Sequence, residues 1–339
     1  MATTSDLSAR LAVALASPAA RDELLSSLGI LTFGKIFYVN ADSNSDGTPK
    51  GLDSNDGLSM DTALATVLAA YNKTTSNNHD YIVMSGSTGH AFTAELAVSK
   101  NRVHFLGIGG GSRYIGQRTR WTMSTGGSAN SAVVYVTGVG CTFTNIKIFN
   151  TDTSTSFAVA DGGEFTQWTN CEMVNTVNLG TVTDAHLLCE VDTGYFLRCS
   201  IGSSQVGHAF SGSRGCVLFS KDIRSGGSSG NTTRDTIFED CIFPMEANSA
   251  TGSCCFLLTT ATDIERILWV KNCVFWGTKL SDTINRAIEQ TSNQTDGDIL
   301  LQNCIVHGID GITADSTTAV YMTSNATGDL AAVSVVSGE

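Results

Sequence analysis

Trp168-Thr169-Asn170-Cys171-Glu172-Met173 is a phrase that returns along the chain. It recurs as Phe196-Leu197-Arg198-Cys199-Ser200-Ile201 and Ile237-Phe238-Glu239-Asp240-Cys241-Ile242-Phe243, then as Trp269-Val270-Lys271-Asn272-Cys273-Val274-Phe275 and Leu300-Leu301-Gln302-Asn303-Cys304-Ile305-Val306. An earlier copy, Phe143-Thr144-Asn145-Ile146-Lys147-Ile148, carries Ile in the Cys slot. From Ile146 onward the copies are spaced by 25, 28, 42, 32 and 31 residues. A period near thirty, built from a short alternating strand and a variable Gly, Ser and Thr loop, is the mark of a solenoid. Each copy alternates with period two and has neither the length nor the 3.6 period of a helix. One such strand cannot hide its apolar side alone, so successive coils must stack at about 4.8 Å per rung. The expected fold is all-β, a single-stranded right-handed parallel β-helix, with Cys and Ile as interchangeable members of one inward ladder.

Composition narrows the alternatives. The 32 acidic against 20 basic residues give a net charge of −12, the opposite of what phosphate backbones attract, so nucleic acid is not an expected partner. No apolar run has the length of a membrane span. The ten cysteines fall mostly on inward strand positions and are expected to be reduced core thiols acting as small hydrophobes. Cys254-Cys255 is the exception, since neighbours on one strand face opposite sides. Without a Cys-x-x-Cys, and with His79, His90, His104, His186, His208 and His307 scattered, neither a metal nor a cofactor is expected. His104, on an alternating strand, reads as a satisfied structural histidine.

Residues 1–34 differ from the rest and are expected to form a helical anchor. Leu7, Leu11 and Leu15 fall at i, i+4 and i+8. Ser17-Pro18 then opens a second helical stretch carrying Leu24, Leu25 and Leu28, closed by Gly29. These six leucines are the candidate partner-binding residues. A secretion leader is the competing reading, disfavoured by the shortness of the run and by Asp6 upstream of it. Residues 35–308 are expected to be the β-helix with its entry cap, and 309–339 a C-terminal β cap or subunit-contact segment. The largest insertion, Ser220 to Asp235, reads as a flexible surface excursion.

Phe37-Tyr38-Val39-Asn40, Ser54-Asn55-Asp56-Gly57-Leu58-Ser59 and Thr62 to Ala70 together resemble the entry of pectate-lyase-like β-helix proteins. The resemblance implies a first strand, an Asn-Asp-Gly-Leu-Ser turn and a capping helix over the open end of the solenoid. Enzymes, adhesins and phage structural proteins share this entry, so it speaks to fold rather than activity. A sugar hydrolase needs two carboxylates flanking the scissile bond, and the polygalacturonase-like pattern is broken here. Asn150-Thr151-Asp152 runs into Thr153, there is no Asp-Asp pair, Gly207-His208 lacks its second Gly, and Arg-x-Lys is missing. Glu172, Glu190, Asp192, Glu239 and Asp240 lie beside the coils and read as solvated outward residues.

The resemblance implies a non-enzymatic bacteriophage virion protein assembled in the bacterial host cytoplasm, a reading that the broken catalytic pattern, the reduced cysteines and the unlike N-terminal segment fit. Its first form is a capsid decoration or cement protein, a homotrimer bound to the major capsid protein or another virion protein. The alternative is a tail fibre or tailspike recognising a host surface glycan, with or without lyase or hydrolase activity. A secreted adhesin is the third reading.

Overall fold

A computed structural model describes residues 34–85, 89–108, 119–176, 184–208, 214–220, 223–224, 232–247, 253–279, 284–291, 295–313, 320–323 and 331–332. The six anchor leucines lie outside them, as does most of the Ser220 to Asp235 insertion.

The described chain winds through three parallel sheets of 11, 9 and 8 strands. One coil shows the route. Thr142–Thr144 lies in the first sheet, Ile146–Asn150 in the second and Phe157–Asp161 in the third, before Gln167–Thr169 returns to the first. Each strand pairs in parallel register with its counterpart one coil away, as Trp168 does with Phe143 and Phe196. This is the expected parallel β-helix, with one difference. The recurring phrase is two strands meeting at a corner rather than one strand.

The corner is the residue before each Cys or Ile. Asn145, Asn170, Arg198, Asp240, Asn272 and Asn303 all have φ between 52° and 60°. Asn and Asp visit this left-handed region most readily after Gly, because their short polar groups bond locally. Asn170 Nδ2 donates to Asn145 Oδ1 at 3.0 Å, and Asn145 Nδ2 to the Gly107 carbonyl at 2.8 Å. The corner N–H groups donate one coil onward, Asn145 to Thr169 and Asn272 to Gln302 at 2.9 and 2.8 Å, so the bend leaves them paired. A second column of positive φ, at Arg102, Gly140, Phe165, Thr193 and Asp235, turns the chain from the third sheet back to the first.

Inside, one continuous core is built of ladders. The first sheet stacks Phe105, Phe143, Trp168, Phe196 and Phe238, all buried, with interplanar angles of 12° or less between successive rings. Parallel register forces this, since identical inward positions lie one rung apart. The inward cysteines form the neighbouring ladder. Cys171, Cys199, Cys241 and Cys273 are buried and Cys304 is half-buried, all as free thiols. The Cys241 backbone N–H points at Cys273 Sγ, 3.3 Å away.

In its middle the third sheet is buried on both faces, over Phe157–Asp161, Ala185–Cys189 and Ser253–Leu258. Its outward columns carry Ala160, Leu188, Leu218 and Leu257 in register, joined by Phe157 and Cys254, and none is more than 1% exposed. That accounts for Cys254-Cys255. Cys255 faces the interior ladder and Cys254 an outer apolar layer, so opposite directions are both dry. Ile223 packs on this layer, and Arg224 stacks over Tyr135 and binds Glu95 through 2.6 and 2.7 Å bonds. These two residues of the insertion lie down on the sheet rather than projecting from it.

At the entry, the helix (α1) spans Val67–Lys73, later than Thr62 to Ala70. Thr66 is its N-cap, its side chain accepting from the Ala69 N–H, and Asp53 Oδ1 accepts from the Ala65 and Thr66 N–H groups. Val67, Ala70 and Tyr71 are buried beneath it. At the other end, Ile309–Thr313 continues the third sheet and Val320–Thr323 the first, both parallel, and Ala331–Ala332 pairs antiparallel with the latter.

Candidate functional outer face

With the interior given to ladders, any chemistry must sit on outward positions. On the first sheet these carry Tyr195, Ile237, Trp269 and Leu300 in one column, and Leu197, Glu239, Lys271 and Gln302 in the next. All eight are half-buried, which leaves aromatic faces open to a partner. The polar members are already engaged. Tyr195 Oη donates to Glu239 Oε2 and Lys271 Nζ to Glu239 Oε1, each at 2.7 Å. Trp269 Nε1 donates to Gln302 Oε1 at 3.0 Å, and Lys271 sits 5.8 Å from the Trp269 ring centre. The Lys271 bond, then the Tyr195 bond, hold the Glu239 carboxyl below the usual glutamate range. Burial, reinforced by Glu239, pushes the Tyr195 hydroxyl up to about 12. Period-two alternation counted back from the inward Cys273 would turn Trp269 inward, and the sequence reading gave neither Trp269 nor Tyr195 a role; the left-handed Asn272 between the two strands turns Trp269 out.

The other expected acids are placed as follows. Glu172 pairs with Lys147 at 2.8 Å on the second sheet. Asp240 lies 3.8 Å from the exposed Arg198. Asp192 is hydrogen-bonded by Arg234, which depresses its carboxyl and which also lies 3.5 Å from Glu265. Glu190 departs from the expectation of a solvated residue. It is 1% exposed, just after Ala185–Cys189 of the third sheet. The structure therefore disperses these carboxylates over different faces and does not bring them into one site.

A carboxyl raised towards neutrality would be the mark of a general acid. Asp161 has that property, pushed by burial to about 6, but it is fully enclosed in the core. Thr166 Oγ1 and Trp168 Nε1 each donate to its Oδ2 at 2.7 Å, and the Gly163 N–H to Oδ1 at 3.1 Å, which marks a structural group. His104 is buried too, lowered to about 4 by burial first and by His79 second. Its Nε2 lies 3.0 Å from His79 Nδ1, and its Nδ1 lies 2.9 Å from Thr142 Oγ1. Among the described residues, no three His, Cys, Asp or Glu side chains are grouped to hold a metal, and no helix is long and apolar enough to cross a membrane.

No family model and no curated protein matches the chain. Solved structures do share its shape. A pectin methylesterase from carrot is 14% identical with a TM-score of 0.54, covering 86% of this chain and 82% of that one. A rhamnogalacturonan lyase is 12% identical with a TM-score of 0.53, covering 80% and 68%. A pectate lyase is 12% identical with a TM-score of 0.52, covering 81% of this chain, which spans 63% of that enzyme's length. At such identities the likeness establishes the fold alone, a parallel β-helix.

Proposed function

We propose that this chain is a non-enzymatic structural protein of a bacteriophage particle, a capsid decoration or cement protein. In this reading it stands on the head surface as a homotrimer bound to the major capsid protein. The observation that supports it is how the outward acids are used. Glu172, Glu239, Asp192 and Asp240 each face a cation, and Glu239 and Asp192 are held ionised, so they serve as fixed acceptors rather than proton donors. Ten free thiols fit a chain that folds and assembles in a reducing compartment.

Attachment falls to the first 34 residues. The solenoid is anchored without them from Lys35, whose backbone N–H is held by Asp80 Oδ1 at 2.6 Å. Burying Leu7, Leu11, Leu15, Leu24, Leu25 and Leu28 against a capsid would supply several kcal/mol at about 25 cal/mol per Å². Three copies in one trimer turn modest single-site affinity into stable attachment.

Two experiments test this. Purified protein should release neither reducing ends nor unsaturated products from a panel of acidic and neutral polysaccharides; turnover abolished by one Asp or Glu substitution would restore an enzyme. Deleting residues 1–30 should leave a body with unchanged circular dichroism and melting that no longer co-sediments with particles lacking the protein. Unchanged attachment would move the docking surface to the solenoid.

A further inference from the structure

The outer face of the second sheet is interrupted by a cleft. Upstream, Lys147 and Glu172 stand in register, their ion pair braced by Phe149, whose ring centre lies 5.4 Å from Lys147 Nζ. Downstream, Trp276 stands half-buried on Val274–Lys279, in register with Pro244. Between them the outward positions fall away. Ser200 is 7% exposed, and Gly202, at φ 121°, has the Pro244 carbonyl only 2.2 Å from where a Cβ would sit. No side chain fits there, so the floor stays low.

The side wall comes from a register slip. Ser203 pairs with Met245 but Gly207 with Glu246, so the residues between them bulge from the sheet. The bulge lifts Ser204 and the exposed Gln205 beside the cleft, with the Gln205 N–H on Ser203 Oγ at 3.1 Å. From Glu172 to the Trp276 strand is three rungs, roughly 14 Å. The cleft encloses about 180 Å³, the space of one hexopyranose ring.

Its chemistry is that of a polyol site. Hydroxyl groups that both donate and accept meet an ammonium, a carboxylate, a primary amide and serine hydroxyls. The apolar face of a pyranose meets an indole wall. Lys147 and Glu172 cancel in charge, and the chain carries −12, so polyanions gain nothing. We infer that this cleft is a binding site for a neutral saccharide, its ring stacked on Trp276 and its hydroxyls on Lys147, Glu172 and Gln205. The site goes beyond the virion reading and does not depend on it.

Saturation-transfer NMR on the full chain provides the test. The probes are the methyl glycosides of glucose, galactose, mannose and N-acetylglucosamine, with maltose, lactose and methyl galacturonoside. At least one neutral sugar should show saturable transfer. Trp276→Ala and Gln205→Ala should each weaken it about tenfold or more, while Lys50→Ala, on the exposed entry turn away from the cleft, leaves it unchanged. Gln205 is exposed, so that variant decides the matter even if Trp276→Ala melts early. Absence of transfer from every neutral sugar, tighter binding of the galacturonoside, or unaltered affinity in Gln205→Ala overturns the inference.

Discussion

A buried thiol on an inward rung acts as a small hydrophobe, and Cys273 shows how tightly its surroundings fix that role. Its sulfur is fully enclosed, with the Phe238 and Lys271 carbonyls at 3.4 and 3.2 Å. Cys273→Val should fold with a cost below about 1.5 kcal/mol. Cys273→Asp should cost several kcal/mol, because an unpaired carboxylate would be stranded between coils. Melting curves of the two variants check this, as does Cys273 reacting with a thiol reagent far more slowly in native protein than in denaturant.

Asp161 makes a pH prediction at the same scale. Burial holds its folded-state carboxyl near 6, above the 3.8 of a free aspartate. The folded chain therefore binds a proton that the unfolded chain has released. This stabilising contribution is fully present below pH 3.8 and is lost as pH rises through 6. A shift of roughly two units corresponds to about 3 kcal/mol. His90 and His104, both lowered to about 4, act oppositely, losing stability as pH falls, so the raw profile mixes the two. The difference between wild type and Asp161→Asn isolates the carboxyl. Wild type should lose about 2 kcal/mol relative to the variant between pH 4.5 and 7, and a pH-independent difference would contradict the assignment.

At the scale of the element, the inward ladder was legible because period-two alternation survives any loop length. The corner inside each phrase was not read, although it shifts the alternation: Trp168 and Cys171, three residues apart, both face inward across it, as do Val270 and Cys273. The signal was nonetheless present, as Asn or Asp recurs before the Cys or Ile at positions 145, 170, 240, 272 and 303. Asn170→Val should cost about 1–2 kcal/mol more than Asn170→Gly, because a β-branched side chain clashes at φ 53° while glycine does not. Denaturant melts of both variants measure it. The bulge beside Gln205 was illegible for a related reason. A register slip is a property of two strands more than thirty residues apart, and neither strand's own sequence announces it. The dry outer face of the third sheet hid similarly, because Ala132, Ala160 and Ala185 read as indifferent residues until the covering layer is seen.

The whole molecule is a stack whose strands pair with those of the neighbouring coils, with Arg224 of the insertion reaching back across several coils to Glu95, so stability accumulates largely coil by coil while the outer faces stay free to vary. That separation explains why fold and function were unequally legible. Phe143, Trp168 and Cys171 must repeat to make a ladder, whereas the Glu239–Lys271 network and the Trp276 cleft arise from residues with no repeating counterpart. It also explains how a chain only 12–14% identical to polysaccharide lyases and esterases can share their fold. The most direct test of the virion assignment is electron microscopy of intact particles with a gold-labelled antibody against the solenoid. The proposal predicts gold spread over the head in numbers fitting trimers at repeated capsid positions. Particles free of label, in a preparation where the same antibody detects the protein outside them, would contradict it.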